Sequence, residues 1–126
     1  MASGDHTHPF DPAAVEQARA AQLTTEEAER LSAIFALVGD PVRARVIYAF
    51  LAVDELCVGD VALAANVNDD AASYALRVLR TAGLVQRRRE GRLSFYRLTD
   101  HGTRPALRTA LDAFLRLSTH SHDGDG

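Results

Sequence analysis

The fold is decided by one continuous stretch, residues 57–98, which reads CVGDVALAANVNDDAASYALRVLRTAGLVQRRREGRLSFYRL. Its first helical segment ends near Asn66, a residue type that tolerates the left-handed conformation found at helix ends. A second segment follows, which Asn68 or Asp69 can cap and which Gly83 stops. Both segments repeat apolar side chains with the period of one helical face, at Val58, Val61, Ala62, Ala65, Ala72, Leu76 and Leu79. This pattern predicts a helix-turn-helix.

The second helix of the pair has a polar face opposite its apolar one. That face carries Asp70, Ser73, Tyr74, Arg77 and Thr81. A polar second helix after a short turn is the arrangement that lies in a DNA major groove. We therefore predict DNA contacts from Ser73, Tyr74 and Arg77. Asp70 can either accept a hydrogen bond from cytosine or cap the helix. Arg77 and Arg80 can contact DNA or simply solvate the helix end.

A β-hairpin is predicted directly after this helix. Residues 84–89 and 92–98 alternate like strands around Glu90-Gly91. Four guanidinium groups cluster at its tip, on Arg87, Arg88, Arg89 and Arg92. Such a tip suits phosphate oxygens. The whole stretch therefore predicts a winged helix-turn-helix, with double-stranded DNA as the partner.

The charge is distributed unevenly along the chain. The net charge is −3, and all fourteen basic residues are arginine. Seven of these arginines lie between residues 68 and 97, against Asp69, Asp70 and Glu90, which gives a local balance of +4. One face of a protein that is anionic overall can therefore attract phosphates.

Length and composition limit the class of protein. The chain has 126 residues, of which 47% are hydrophobic and 25% charged, and this fits one globular domain with a single core. No apolar run approaches the roughly 20 residues that span a bilayer, and no apolar signal core is visible. We expect a cytoplasmic protein without a membrane partner. The single Cys57 allows no disulfide within the chain and fits a reducing compartment.

We divide the chain into a disordered arm (1–10), one domain (11–118) and a disordered tail (119–126). Helices are predicted from Asp11-Pro12 to about Ala21, from Thr24 to Val38 with a capping box to Glu27, and from Asp40-Pro41 onward. The last helix covers roughly residues 104–118. The expected fold is mainly α, of the α+β class, with five to six helices and one two-stranded hairpin.

The last helix suggests a dimer. Its apolar stripe follows the predicted hairpin and lies away from the central helices, so the same helix of a second subunit is the simplest partner. The alanine-rich first helix can complete that interface. The predicted homodimer contacts, through these terminal helices, are Leu107, Leu111, Phe114 and Val15.

Residues 31–98 resemble the ArsR/SmtB family of metal- and stress-responsive bacterial repressors. The resemblance rests on GDPVRARVI (39–47), ELCVGDVA (55–62), AASYALRVLRTAGLV (71–85) and RREGRLSFYRL (88–98), in that order. These segments are similar to the family's helix-opening segment, its ELCVGDLA segment, its recognition helix and its wing. The resemblance implies a homodimer that binds an inverted repeat near a promoter, with an inducer that changes operator affinity.

The chain departs from the family where metal sensors bind metal. In those sensors the last helix often starts with Asp-x-His and later carries a His and an acid. Asp100 matches, but Gly102, Ala113 and Arg116 occupy the other positions. Cys57 matches a thiol position of the family, although the partner cysteines are missing. The alternative interpretation of Cys57 is a small buried thiol without a ligand role.

The remaining histidines offer a different metal site. Imidazoles and carboxylates suit nickel, cobalt or zinc, and the alternative is that these groups are solvated. The candidate ligands are His6, His8, Asp100, His101, His120 and His122. We predict no organic cofactor and no enzyme activity, because no nucleophile spacing and no glycine-rich phosphate loop occur. Two other hypotheses remain, a regulator gated without metal and a winged-helix module that binds protein. The arginine tip argues against the second.

Overall fold

The computed structural model describes residues 10–125 apart from His101 and Thr103, with side chains through Leu117. The elements in order are α1 (Pro12–Ala20), α2 (Thr25–Val38), α3 (Pro41–Ala52), β1 (Leu56–Cys57), α4 (Val58–Ala65), α5 (Asp69–Thr81), β2 (Val85–Glu90), β3 (Leu93–Leu98) and α6 (Arg104–Asp125). The chain divides into two compact units, residues 1–35 and 36–126. The prediction of a mainly helical α+β fold with a winged helix-turn-helix is confirmed.

The first unit contains α1 and most of α2, and its helices start with side-chain caps. The Asp11 carboxylate accepts from the backbone N–H of Ala14 at 3.1 Å. Thr24 and Glu27 form the predicted capping box, with reciprocal hydrogen bonds of 2.9 and 3.0 Å. No residue of α1 is buried, and Val15 is 38% exposed.

The second unit holds the core. It begins with the end of α2, and its first complete helix is α3, whose cap Asp40 accepts from the N–H of Arg43 at 3.0 Å. The helices α3, α4 and α5 pack around side chains that are at most 4% exposed. These buried residues are Val46, Ile47, Phe50, Leu51, Val61, Ala62, Ala65, Ala72, Ala75, Leu76 and Leu79. The predicted inward faces of α4 and α5 are confirmed, except that Val58 is only partly buried.

The turn between α4 and α5 has the predicted chemistry. Asn66 adopts the left-handed conformation, with φ 57° and ψ 50°, and ends α4. Asn68, rather than Asp69, caps α5, since its side-chain oxygen accepts from the N–H of Ala71 at 2.8 Å. Gly83 has a φ of 84° and ends the turn that leads from α5 to β2.

The sheet has three antiparallel strands in the order β1-β3-β2. The hairpin pairs Val85 with Leu98 and Glu90 with Leu93, as the alternation predicts. The third strand, β1, was not predicted. It pairs only Leu56 and Cys57 with β3, and two residues are too few to show a period of two.

The predicted end of the last helix is wrong. The helix α6 continues to Asp125, beyond the expected end near Ser118, so the backbone of the tail is helical through Asp125. No proline or glycine interrupts the chain between Pro105 and Gly124, and the helical period therefore continues. The predicted disordered arm, residues 1–10, lies almost entirely outside the described residues. None of the helices in the described part of the chain is long and apolar enough to cross a membrane.

Candidate nucleic-acid interface

The polar face of α5 is exposed, as a DNA-reading helix requires. Its opposite face is held in the core by Ala72, Leu76 and Leu79, at 0–1% exposure. The side chains of Ser73 and Arg77 point away from that core into solvent. Tyr74 is 59% exposed, and the Arg77 guanidinium lies 5.8 Å from its ring centroid. This cation–π contact leaves the guanidinium N–H groups available to an incoming acceptor.

A groove between α5 and the sheet brings several predicted residues together. Its cavity of about 370 Å³ is lined by Ser73, Arg77, Arg80, Thr81, Arg87 and Tyr96. Among the described residues, Arg80 and Arg87 form no ion pair. Three guanidinium groups without a neighbouring carboxylate make this groove a suitable place for a phosphate backbone. Tyr96 was not predicted here, although its register position opposite Arg87 could have indicated it.

The arginines of β2 divide between the two faces of the strand. Because successive side chains alternate, Arg87 and Arg89 share the face of the buried Val85, whereas Arg88 lies on the other. Arg87 and Arg89 are exposed and form no ion pair within the described part of the chain. Their role as phosphate ligands stays a prediction.

Arg88 is engaged inside the chain. Its guanidinium donates two hydrogen bonds to Glu55, at 2.8 and 3.2 Å, and one to Glu90, at 2.6 Å. Its Cζ lies 4.7 Å from the centroid of the Phe95 ring. The hydrogen bonds with Arg88 lower the pKa of Glu55, and those with Glu55 and Glu90 raise the pKa of Arg88. Three of its five guanidinium N–H groups are engaged in this way, and its contact with phosphate at the tip stays a prediction.

Two further DNA candidates, Asp70 and Arg92, are exposed. Asp70 is exposed in the first turn of α5, where a carboxylate interacts favourably with the helix dipole. Arg92 is exposed at the hairpin turn, beside Gly91. Neither forms an ion pair among the residues described. Their DNA contacts remain predictions.

The predicted dimer residues separate into two groups. Leu111 is 9% exposed and belongs to the chain's own core, and Leu107 packs against that core. Phe114 is 48% exposed, followed by Leu115 at 56% and Leu117 at 64%. The single chain therefore accounts for the burial of Leu107 and Leu111, whereas the later turns of α6 present apolar surface.

A hydrogen bond joins α6 to the core. The Tyr48 hydroxyl on α3 donates to the Asp112 carboxylate at 2.8 Å. Burial raises the pKa of Tyr48, and the hydrogen bond and charge of Asp112 raise it further. Asp112 also lies 3.6 Å from the guanidinium of Arg108. The Tyr48–Asp112 hydrogen bond, which crosses from α3 to α6, is compatible with the rotation of α6 that turns Leu111 inward.

The metal prediction falls mostly outside the described side chains. This applies to His6, His8, His101, His120 and His122. Asp100 is described and exposed, and Cys57 is half-buried in β1. Within the part that the structure describes, no group of three or more His, Cys, Asp or Glu side chains could hold a metal ion. Gly102, Ala113 and Arg116 offer no metal ligand, so these residues do not fit the last-helix site of the family's metal sensors.

Two acidic residues of the site were missed in the sequence. Asp54 and Glu55 follow α3, and each forms an ion pair with an arginine of another element. Asp54 pairs with Arg104 and Glu55 with Arg88. The visible signal was an acidic pair directly before residues 57–98, the stretch that predicts the winged helix-turn-helix.

Comparisons with known proteins agree with this geometry. Residues 40–87 match the model of the family described as bacterial regulatory protein, arsR family. A transcriptional repressor SmtB homolog of Synechocystis sp. is 38% identical over 101 residues, which cover 78% of this chain and 76% of that protein. A cadmium resistance transcriptional regulatory protein CadC homolog of Staphylococcus aureus is 32% identical, over 61% of this chain and 64% of that protein.

Solved structures show the same fold. The AntR antimony-specific transcriptional repressor superposes with a TM-score of 0.67 at 24% identity, covering 92% of this chain and 98% of that one. A homodimeric winged helix-turn-helix DNA-binding domain from Mycobacterium bovis gives a TM-score of 0.52 at 25% identity, covering 84% of this chain and 95% of that domain. The relatives are transcriptional regulators and not enzymes.

Proposed function

The chain belongs to the ArsR/SmtB family of bacterial transcriptional regulators, and we propose that it acts there as a homodimeric repressor of an inverted-repeat operator, controlled by a metal ion. The observation that carries the DNA-binding part is the groove between α5 and β2. It combines the exposed Ser73 and Arg77 of the helix with Arg87 of the wing. Phosphate contacts from Arg80 and Arg87 hold the duplex, and Arg77 with Tyr74 reads base edges.

A second copy of the chain is required for an inverted repeat. Two recognition helices related by two-fold symmetry read two half-sites about one helical turn apart. The exposed apolar residues on the later turns of α6 support a homodimer, and so does the homodimeric domain from Mycobacterium bovis. We assign the interface to Phe114 and Leu117 of α6, with Val15 of α1 as a further contact.

Metal control is supported by the relatives, since the Staphylococcus aureus protein is a cadmium resistance regulator. For this chain we propose nickel, cobalt or zinc, because the remaining donors are imidazole nitrogens and carboxylate oxygens. The ligands would come from His6 and His8 together with Asp100, His101, His120 or His122. A regulator that responds without metal is the second candidate, and the lack of donors at Gly102, Ala113 and Arg116 favours it.

The DNA-binding proposal is tested with operator and random duplexes over a range of salt concentrations. The operator is first selected from a pool of random duplexes by the protein. Arg77→Ala should reduce discrimination by about 1–3 kcal/mol, as expected for the loss of one base contact. Its matched control is Arg30→Ala on α2, which also removes one exposed guanidinium. Equal losses on operator and random DNA would contradict base reading by Arg77.

The metal proposal is tested by calorimetry with nickel, cobalt and zinc on metal-free protein. Variants that lack residues 1–10 or 119–126 should bind metal more weakly than the full chain. Affinity should also fall as the pH drops through about 6.5, where imidazoles become protonated. Operator binding is then measured with each metal. Saturable binding that leaves operator affinity unchanged would favour the second candidate.

A further inference from the structure

Adjacent acidic residues in one short loop reach two different parts of the second unit. The loop comprises Val53, Asp54 and Glu55 and joins α3 to β1. The Glu55 carboxylate binds Arg88 on the wing strand β2 at 2.8 Å. The Asp54 carboxylate lies 2.6 Å from the guanidinium of Arg104, the first residue of α6.

We propose that Asp54 and Glu55 are positioning residues for DNA binding, which couple the start of α6 to the wing. This inference rests on the proposed function, since it explains how a change at the dimer helix reaches the DNA-binding hairpin. Neither residue is assigned a contact with DNA. They act through Arg104 and Arg88.

The Glu55–Arg88 contact fixes the face that β2 turns outward. Both carboxylate oxygens of Glu55 accept from the same guanidinium, an arrangement that restricts orientation as well as distance. Phe95, on the neighbouring strand β3, lies against the Arg88 guanidinium at 4.7 Å. Because side chains alternate along a strand, holding Arg88 on this face keeps Arg87 and Arg89 on the face of the groove.

The Asp54–Arg104 contact gives the loop its second anchor. The Arg104 side chain is only 28% exposed, whereas that of Asp54 is 76% exposed. Arg104 is therefore the more buried partner of this ion pair. Adjacent Cα atoms are only about 3.8 Å apart. A shift at the start of α6 consequently displaces Glu55 together with Asp54, and Glu55 displaces Arg88.

The direction in which removing one carboxylate changes DNA affinity separates this inference from a general electrostatic effect. Removing a carboxylate near a DNA surface should strengthen binding if charge alone matters. If Glu55 positions the wing, Glu55→Gln should instead weaken operator binding, by about twofold to fivefold for one partly exposed ion pair. The matched control is Asp60→Asn, which removes an exposed carboxylate that forms no ion pair among the described residues.

Exchanging the two residues of the Glu55–Arg88 ion pair provides a test by rescue of operator binding. Arg88→Glu alone should weaken operator binding, and the addition of Glu55→Arg should restore most of it, because the ion pair is rebuilt with its charges exchanged. A direct phosphate contact by Arg88 would not be restored in this way. Failure of the rescue, or tighter binding by Glu55→Gln, would overturn the role of Glu55. Circular dichroism melting verifies that every variant is folded.

The coupling is measured in the protein without DNA. Amide hydrogen exchange of residues 85–90 should accelerate in Glu55→Gln, and also in Asp54→Asn and Arg104→Gln, although those two changes leave the Glu55–Arg88 pair intact. Unchanged exchange at the wing in both Asp54→Asn and Arg104→Gln would overturn the coupling. Wild-type protein that does not bind any duplex would contradict the proposed function instead, and the exchange experiment would still report on the loop.

Discussion

Helices α5 and α6 both carry an apolar stripe, but the stripe of α5 is buried within the chain and that of α6 is buried only in part. On α5, Ala72, Leu76 and Leu79 are at most 1% exposed, and the opposite face is polar. On α6, Leu111 is buried at 9%, whereas Leu115 and Leu117 remain more than half exposed. The chain therefore satisfies the apolar face of α5 by itself and leaves apolar surface on α6.

This difference indicates what kind of partner each helix needs. The exposed side of α5 offers guanidinium and hydroxyl groups, which suit a charged and hydrated ligand such as DNA. The exposed side of α6 offers leucine and phenylalanine, which suit an apolar surface such as its own copy. The first association should depend strongly on salt and the second only weakly.

The largest effect is expected from truncating the buried face of α5. Leu79→Ala removes a side chain with 0% exposure and should lower the free energy of unfolding by about 2–5 kcal/mol. Leu117→Ala on α6 is the matched change at 64% exposure and should cost the isolated chain less than about 0.5 kcal/mol. Urea denaturation at low protein concentration measures both. Equal losses would remove the contrast between the two helices.

The next effect concerns association through α6. Phe114→Asp places a charge in the proposed interface, and two-fold symmetry repeats each lost contact, which is worth about 1.5–3 kcal/mol per buried side chain. We expect monomers by light scattering and weakened operator binding, with the fold retained. Arg116→Asp, on a different side of the same helix, should remain dimeric. A dimeric Phe114→Asp variant would place the interface on other elements.

A smaller effect should separate the arginines of the wing. Arg87→Ala and Arg89→Ala should each reduce the slope of log affinity against log salt by about 0.9 per lost phosphate contact. Arg88→Ala should leave this slope close to the wild-type value, because its guanidinium binds Glu55 and Glu90. Titration of random duplexes at several salt concentrations measures the slopes. If Arg88→Ala instead reduced the slope more than Arg87→Ala or Arg89→Ala, the ion pairs of Arg88 would have to open when DNA binds.

The smallest expected effect is a shift in the titration midpoint of the Glu55 carboxyl group. Arg88 lowers the pKa of Glu55 below its ordinary value of 4.5, so the ion pair is fully formed above that pH and is lost as the pH falls through the lower folded value. Carboxyl NMR should therefore give a midpoint for Glu55 below 4.5. Arg88→Gln should raise it toward 4.5, whereas Arg89→Gln should leave it unchanged. A wild-type midpoint at 4.5 would contradict the contact.

Local signals were sufficient for most of the fold. The cap residues Asp11, Thr24 and Asp40 predicted three helix starts, because capping depends on side chains only three residues away. The strand β1 was missed, because it exists only through pairing with the distant β3. The extension of α6 to Asp125 was missed too, because residues 119–126 are as polar as a solvated tail, although no helix breaker occurs between Pro105 and Gly124.

The residue types that form the candidate site were predictable from the sequence, but the residues that they contact within the chain were not. Arginine clustering indicated a basic wing, and helical periodicity indicated which face of α5 carries Ser73, Tyr74 and Arg77. The sequence did not show that Arg88 points to Glu55, which lies 33 positions earlier in the chain. Nor did it separate Leu111, which the core buries, from Leu117, since both fit one apolar pattern. Such contacts depend on how the elements pack.

The strand order also affects how the folded protein behaves when concentrated. With the order β1-β3-β2, the strand β3 is central, and β2 forms one edge of the sheet. An edge strand presents unpaired N–H and C=O groups that can template the addition of another chain. Here that edge carries Arg87, Arg88, Arg89 and Glu90 in succession. Two such edges repel each other, so the arginines that we propose for DNA binding also disfavour strand-to-strand aggregation of the protein.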